Sequence, residues 1–147
     1  MSAKFMFVLP IENIERSITF YTALGFLISL EGTGKYGPNM VHSQNENINI
    51  RLVLKSHFQE VTTKELVDTR RQSEVVIAIP VQSREQVPKL YEKATKAGGS
   101  HIKPPKDFGW AYACYVEDPD GHFFELYWID PVNGWKNHKG NTAVPTH

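Results

Sequence analysis

The chain alternates short apolar runs with polar turns, and the same succession of runs occurs twice. Residues 4–9, rich in Phe, Val and Leu, read as a buried strand. Asn13 offers a side-chain oxygen to the orphan amides of a first helical turn. The apolar stripe of that helix is Ile14, Ile18, Tyr21 and Leu24, and Gly25 ends it. Strands are predicted at 26–30, 40–43 and 48–54, separated by turn residues at Gly32, Gly34, Gly37, Pro38 and 45–47. A second strand–helix pair follows at 75–81 and from Ser83. Ser83 and Gln86 have the spacing of a capping box, Val87, Leu90, Tyr91 and Ala94 make the stripe, and Gly98 and Gly99 stop it. Pro88 sits deep for that box, so the first turn is expected to bend or to start late. Strands at 100–103, 111–117 and 122–129 complete the set, with Asp118-Pro119-Asp120-Gly121 as the last turn.

The two halves hold register. Leu9-Pro10-Ile11, Asn13, Glu15, Phe20 and Tyr21 are matched by Ile79-Pro80-Val81, Ser83, Glu85, Leu90 and Tyr91, each seventy positions on. One repeated pair indicates a duplicated domain, since a solenoid needs at least three units. Residues 1–130 are therefore expected to form the domain. Module one covers about 4–55, a polar linker 56–72, and module two about 73–130. Thr62 and Glu65 have the spacing to start a short helix in the linker. The polar tail, 131–147, reads as irregular, with Trp135 packing back on the domain.

Composition narrows the function classes. With 147 residues, 41% hydrophobic and 22% charged, this is a globular chain with room for one core. Sixteen Lys and Arg balance sixteen Asp and Glu, which leaves no electrostatic footprint for nucleic acid or an anionic membrane. No apolar run approaches the roughly 18 residues a bilayer span needs, and the amino terminus lacks a signal-peptide pattern. The one cysteine, Cys114, can form neither an internal disulfide nor a thiolate cluster, and reads as buried filler. A cytoplasmic location is the expectation.

Two stretches carry a family likeness. Asn13-Ile14-Glu15-Arg16-Ser17-Ile18, followed by Phe20-Tyr21 and Leu24-Gly25-Phe26, resembles the first helix of the vicinal oxygen chelate superfamily. Residues 117–126, Glu-Asp-Pro-Asp-Gly-His-Phe-Phe-Glu-Leu, resemble its last hairpin. That superfamily holds glyoxalase I, extradiol dioxygenases, and fosfomycin- and bleomycin-resistance proteins. The resemblance, over residues 4–130, implies an α+β fold of two βαβββ modules. Their sheets would curl around a shared cavity, with helices on the convex side. It also implies a homodimer, possibly with modules exchanged between chains.

In metal-using members the ligands come from the first and fourth strand of each module. Carried over, those positions are Met6, Arg51, Val76 and Glu125. One carboxylate beside a guanidinium is a poor nest for a divalent ion, which wants imidazole nitrogen or hard oxygens. No metal or other cofactor is therefore expected. Strand parity turns Glu125, Phe123 and Tyr127 to the cavity, with Asn49, Arg51 and Val53 on the partner strand. Arg51 and Glu125 are expected to pair across the old metal position, within one chain or between two. The alternative is that Arg51 snorkels to solvent and Glu125 faces water. Trp110 and Tyr112 are candidate stacking platforms for a flat ligand, or ordinary core. The segment 104–109 reads as a rim loop.

The favoured reading is a metal-independent binder of a small aromatic or amphipathic molecule, lined by Met6, Arg51, Val76, Trp110, Tyr112, Phe123 and Tyr127. Glu125 is the candidate catalytic carboxylate. The competing reading is a metal-dependent lyase or dioxygenase that recruits His101 or His42 beside Glu125. A metal-free enzyme with Glu125 as general base, which an adjacent Arg51 argues against, and a module for a protein partner are the remaining alternatives. Of the six histidines, none has helical or short-range ligand spacing, and His122 alternates away from Glu125.

Overall fold

The computed structural model describes residues 5–31 and 40–134. The element order is β1 (Met6–Ile11), α1 (Ile14–Ala23), β2 (Leu27–Glu31), β3 (Met40–Gln44), β4 (Asn49–Leu54) and α2 (Lys55–Val61), then β5 (Val76–Pro80), α3 (Gln86–Lys96), β6 (Ser100–Asp107), β7 (Ala111–Glu117) and β8 (Phe123–Ile129). These build two βαβββ modules, each with its own four-stranded sheet, ordered β1-β4-β3-β2 and β5-β8-β7-β6. In both, the first strand runs parallel to the fourth, which the intervening helix makes possible. The turn glycines and Pro38 at 32–38, Trp135 and the histidines of the tail lie outside the described residues.

Local chemistry explains most boundaries. Asn13 caps α1 as expected, its Oδ1 accepting from the Arg16 amide at 2.8 Å. The capping box at Ser83 does not form. Helix α3 starts at Gln86 behind Glu85, with no side-chain cap, and the Gln86 amide bonds the Ser83 carbonyl instead. Starting late puts Pro88 in the first turn, where its missing N–H costs nothing. In the linker the helix comes earlier than predicted: α2 runs straight on from β4, and Thr62 closes it rather than opening one.

One apolar cluster joins the modules. It takes Leu9, Ile11, Val41, Ile50 and Leu52 from the first sheet and Ile77, Ile79, Cys114, Val116, Phe124 and Leu126 from the second, with Phe20 and Tyr21 of α1 and Val87 and Ala94 of α3. The helix-bearing faces therefore share the core, and the opposite, open faces carry the half-buried Arg51, His42, Tyr115 and Glu125, with Asn49, Val53 and Ala113 buried among them. The sheets are not closed, so a cavity over either open face needs a further surface to complete it.

Both hairpins between the last two strands of a module dock on the other module. The hairpin at 118–122 sits on the β1–α1 turn. His122 Nε2 meets the Pro10 carbonyl at 2.6 Å, and Asp120 Oδ1 accepts from the Glu12 amide at 2.9 Å and from Arg16 Nη2 at 2.8 Å. Gly121 has φ of 88°, and a side chain there would collide with the Thr69 backbone of the linker. The hairpin at 45–48 sits on the β5–α3 turn, through Asn47 Nδ2 to the Pro80 carbonyl at 3.2 Å and Gln82 Nε2 to Glu46 Oε1 at 2.6 Å.

Candidate functional site

Pleating assigns the open faces residue by residue. In module one, Val8, Arg51, His42 and Ser29 form a cross-strand row. The matching row in module two is Ala78, Glu125, Tyr115 and Lys103. Arg51 and Glu125 thus occupy the equivalent centre of the two faces, as their strand parity predicts. Met6 and Val76 share those faces one pleat away, opposite Asn49 and Phe123 respectively. Phe123 and Tyr127 flank Glu125 along β8.

Glu125 is the focus of the second face. Burial raises the Tyr115 hydroxyl above the usual phenol range, and the charge of the Glu125 carboxylate, to which that hydroxyl donates, raises it further. Lys103 Nζ lies 5.7 Å from the centre of the Tyr115 ring, and the Tyr115 and Phe123 rings are 5.9 Å apart. Beside Phe123, the carboxyl of Glu117 is raised by burial and by Asp118, against an opposing effect of Arg70. The face combines aromatic surface with two carboxylates.

Arg51 and Glu125 do not pair within the chain: among the described residues no ion pair joins them. The reason is the shared core, which directs the two open faces outward. Tyr112 also departs from expectation. It pairs with Trp128 on the helix-bearing face, and the Arg84 guanidinium stacks 4.0 Å from its ring centre while bonding Asp107 at 2.9 Å. It is packing material beside α3, not lining. Trp110 stands just before β7, 38% exposed and away from the Glu125 row.

Of the four carried-over positions, Met6, Arg51, Val76 and Glu125, only Glu125 offers a hard oxygen donor to a divalent ion. Among the described residues no group of three His, Cys, Asp or Glu side chains is placed to hold a metal. His101 stacks on Tyr91 of α3 with ring centres 4.5 Å apart, so it belongs to the helix side. His122 is buried at the module junction. Of the histidines weighed, His42 alone lies on an open face. Cys114 is fully buried, its thiol pushed up to about 12 chiefly by burial, which removes it as a nucleophile.

Sequence reasoning missed Tyr115 and Lys103 as neighbours of Glu125. The parity that placed Tyr127 would have found Tyr115 once the β7–β8 register was counted back from the Asp-Pro-Asp-Gly turn. Lys103 carried no such signal, because β6 shifts register twice against β7. Two clefts also went unread. One of about 490 Å³ lies between β1, the linker and the start of β8, with Phe7, Phe58, Leu66 and Phe123 among its walls. The other, about 290 Å³, lies where the 45–48 hairpin meets the β5–α3 turn.

No helix among the described residues is long and apolar enough to cross a membrane. No protein of curated function matches the chain. Solved structures do. A hypothetical protein from S. aureus is 30% identical, with a TM-score of 0.74 over 88% of this chain and 95% of that one. A glyoxalase-related enzyme from Fulvimarina pelagi is 25% identical, with a TM-score of 0.72 over 90% of this chain and 91% of that one. A glyoxalase/bleomycin resistance protein/dioxygenase family enzyme from Burkholderia phytofirmans PsJN, 18% identical at a TM-score of 0.68 over 85% of this chain and 97% of that one, shares the fold. The family model for the same group matches residues 5–126, and the chain belongs to the glyoxalase/bleomycin resistance protein/dioxygenase superfamily.

Proposed function

We propose that this protein is a metal-independent binder of a small aromatic or amphipathic molecule, with its site built between two copies of the chain. The observation that carries the reading is the placement of Arg51 and Glu125 at the same central position of two outward faces. A second copy laid with its Glu125 face on the Arg51 face would complete two identical cavities by symmetry. Each would have Met6, Val8 and His42 on one wall and Val76, Phe123, Tyr115 and Tyr127 on the other. The apolar side chains at the edges support this, with Val8 43% and Val76 48% exposed. Arg51 opposite Glu125 would neutralise both charges as they lose water. Aromatic rings around that pair suit a flat ligand.

A charge exchange tests the arrangement. By light scattering the protein should be a dimer, and Arg51→Glu or Glu125→Arg alone should weaken it by about tenfold or more, as mismatched buried charges do. The double exchange should recover most of the loss. A monomeric protein at micromolar concentration, or a double variant no better than the singles, would refute it. The second reading, a metal-dependent lyase or dioxygenase, rests on His42, which lies beside Arg51 and would reach the Glu125 face of a second copy. Stoichiometric zinc, nickel, iron or manganese in protein purified without chelator would favour that reading over ours.

A further inference from the structure

The chain's pseudo-symmetry is broken at one place, and the break leaves a cleft. The sequence repeat matches Tyr21 with Tyr91, seventy residues on. Tyr21 is fully buried and fills the first junction, its ring 6.1 Å from that of Phe124 and its hydroxyl donating to Asp118 Oδ2 at 2.8 Å. Asp118 Oδ1 also accepts the turn amides of Asp120 and His122, so one carboxylate closes the hairpin and receives the phenol. At the second junction Asn45 closes the hairpin, accepting from the amides of Asn47 and Ile48. No tyrosine enters. Tyr91 stacks on His101 of its own module instead, and the repeat sets Leu90 against Phe20.

What remains is the cleft of about 290 Å³, floored by Leu24, Phe26, Ile79, Leu90 and Leu126 and rimmed by Gln82, Gln86 and the 45–47 turn. Its volume is at the small end of ligand pockets. An apolar floor under a rim of amides suits a ring with one hydroxyl. We infer that this second junction is a binding site for a neutral, phenol-sized aromatic, which takes the place that the Tyr21 side chain fills at the first. It lies on the core side of the sheets, separate from the Arg51 and Glu125 faces.

The experiment is a p-cresol titration of the full chain, followed by methyl resonances. Saturable shifts at low millimolar concentration are expected at Leu24, Ile79, Leu90 and Leu126. Leu90→Phe, which restores the aromatic of module one, should weaken binding at least tenfold. Gln82→Trp, on the exposed rim, should do the same without touching the core. Shifts that fail to saturate, that gather at the open faces or the β1 cleft, or that survive Gln82→Trp would overturn the assignment. Arg51→Glu, which tests the composite site, should leave p-cresol binding unchanged.

Discussion

The two module junctions descend from one repeated design, yet they are held by different physics. At the first, Asp118 and Asp120 are buried and bonded to Tyr21, Arg16 and a backbone amide across 97 to 108 residues of sequence. At the second, the bridging bonds run from exposed side-chain amides to a backbone carbonyl and a carboxylate, beside the cleft of about 290 Å³. Buried, charge-assisted bonds cannot be exchanged for water without leaving an orphan charge, whereas exposed ones can. The first junction should therefore fix how the modules sit, and the second should tolerate insertion of a ligand.

The sharpest way to break the comparison is to remove one partner on each side. Asp120→Ala strips the Glu12 amide and the Arg16 guanidinium of their acceptor and should cost about 2–3 kcal/mol in urea unfolding, less than the roughly 3–5 kcal/mol of a fully buried pair because Arg16 is partly exposed. Asn47→Ala and Gln82→Ala should each stay within about 0.5 kcal/mol, as surface changes do. Equal losses on the two sides would erase the distinction.

The tyrosines sharpen it further. Tyr21→Phe leaves Asp118 Oδ2 buried without its donor and should cost about 1.5–3 kcal/mol, the range for a hydrogen bond to a charged group. Tyr91→Phe keeps the ring on His101 and should change stability by less than about 0.5 kcal/mol. Thermal or urea unfolding of the two variants side by side reads the difference directly.

Which parts of this are legible in the sequence follows from the range of the interactions. The seventy-residue offset of the first strands, the Asn13 cap and the placement of Arg51 and Glu125 on the sheet faces opposite the helices all depend on spacing within a few residues or on the repeat, and the structure bears them out. The errors are where a local signal meets a competitor. Ser83 and Gln86 spell a capping box, but Pro88 is tolerated only if the helix begins later. Tyr112 looks like a ligand platform until Arg84, from the β5–α3 segment, covers it. The bond of Tyr21 to Asp118 joins residues whose only sequence clue is that each lies in a recognisable motif. Nothing in the two helices, read alone, says that one tyrosine will cross the junction and its twin will not.

The smallest expected effect concerns the charge on Asp118. Burial raises its carboxyl above the usual aspartate range, and the favourable contacts of His122 and Tyr21 only partly offset that. A carboxyl raised on folding contributes stability that is complete below its unfolded value, near 4, and is lost as the pH climbs through the folded value. At neutral pH the first junction therefore carries an unfavourable charge that acid relieves. Asp118→Asn removes the titration while keeping an oxygen for the turn amides and an amide group toward Tyr21. The stability of the native protein relative to this variant should rise as the pH is lowered from 7 toward 4. Urea unfolding of both proteins across that window measures it. A difference that is flat, or that falls toward acid, would mean that the hydrogen bonds to Asp118 outweigh its burial, and that the first junction is held together by its charge rather than in spite of it.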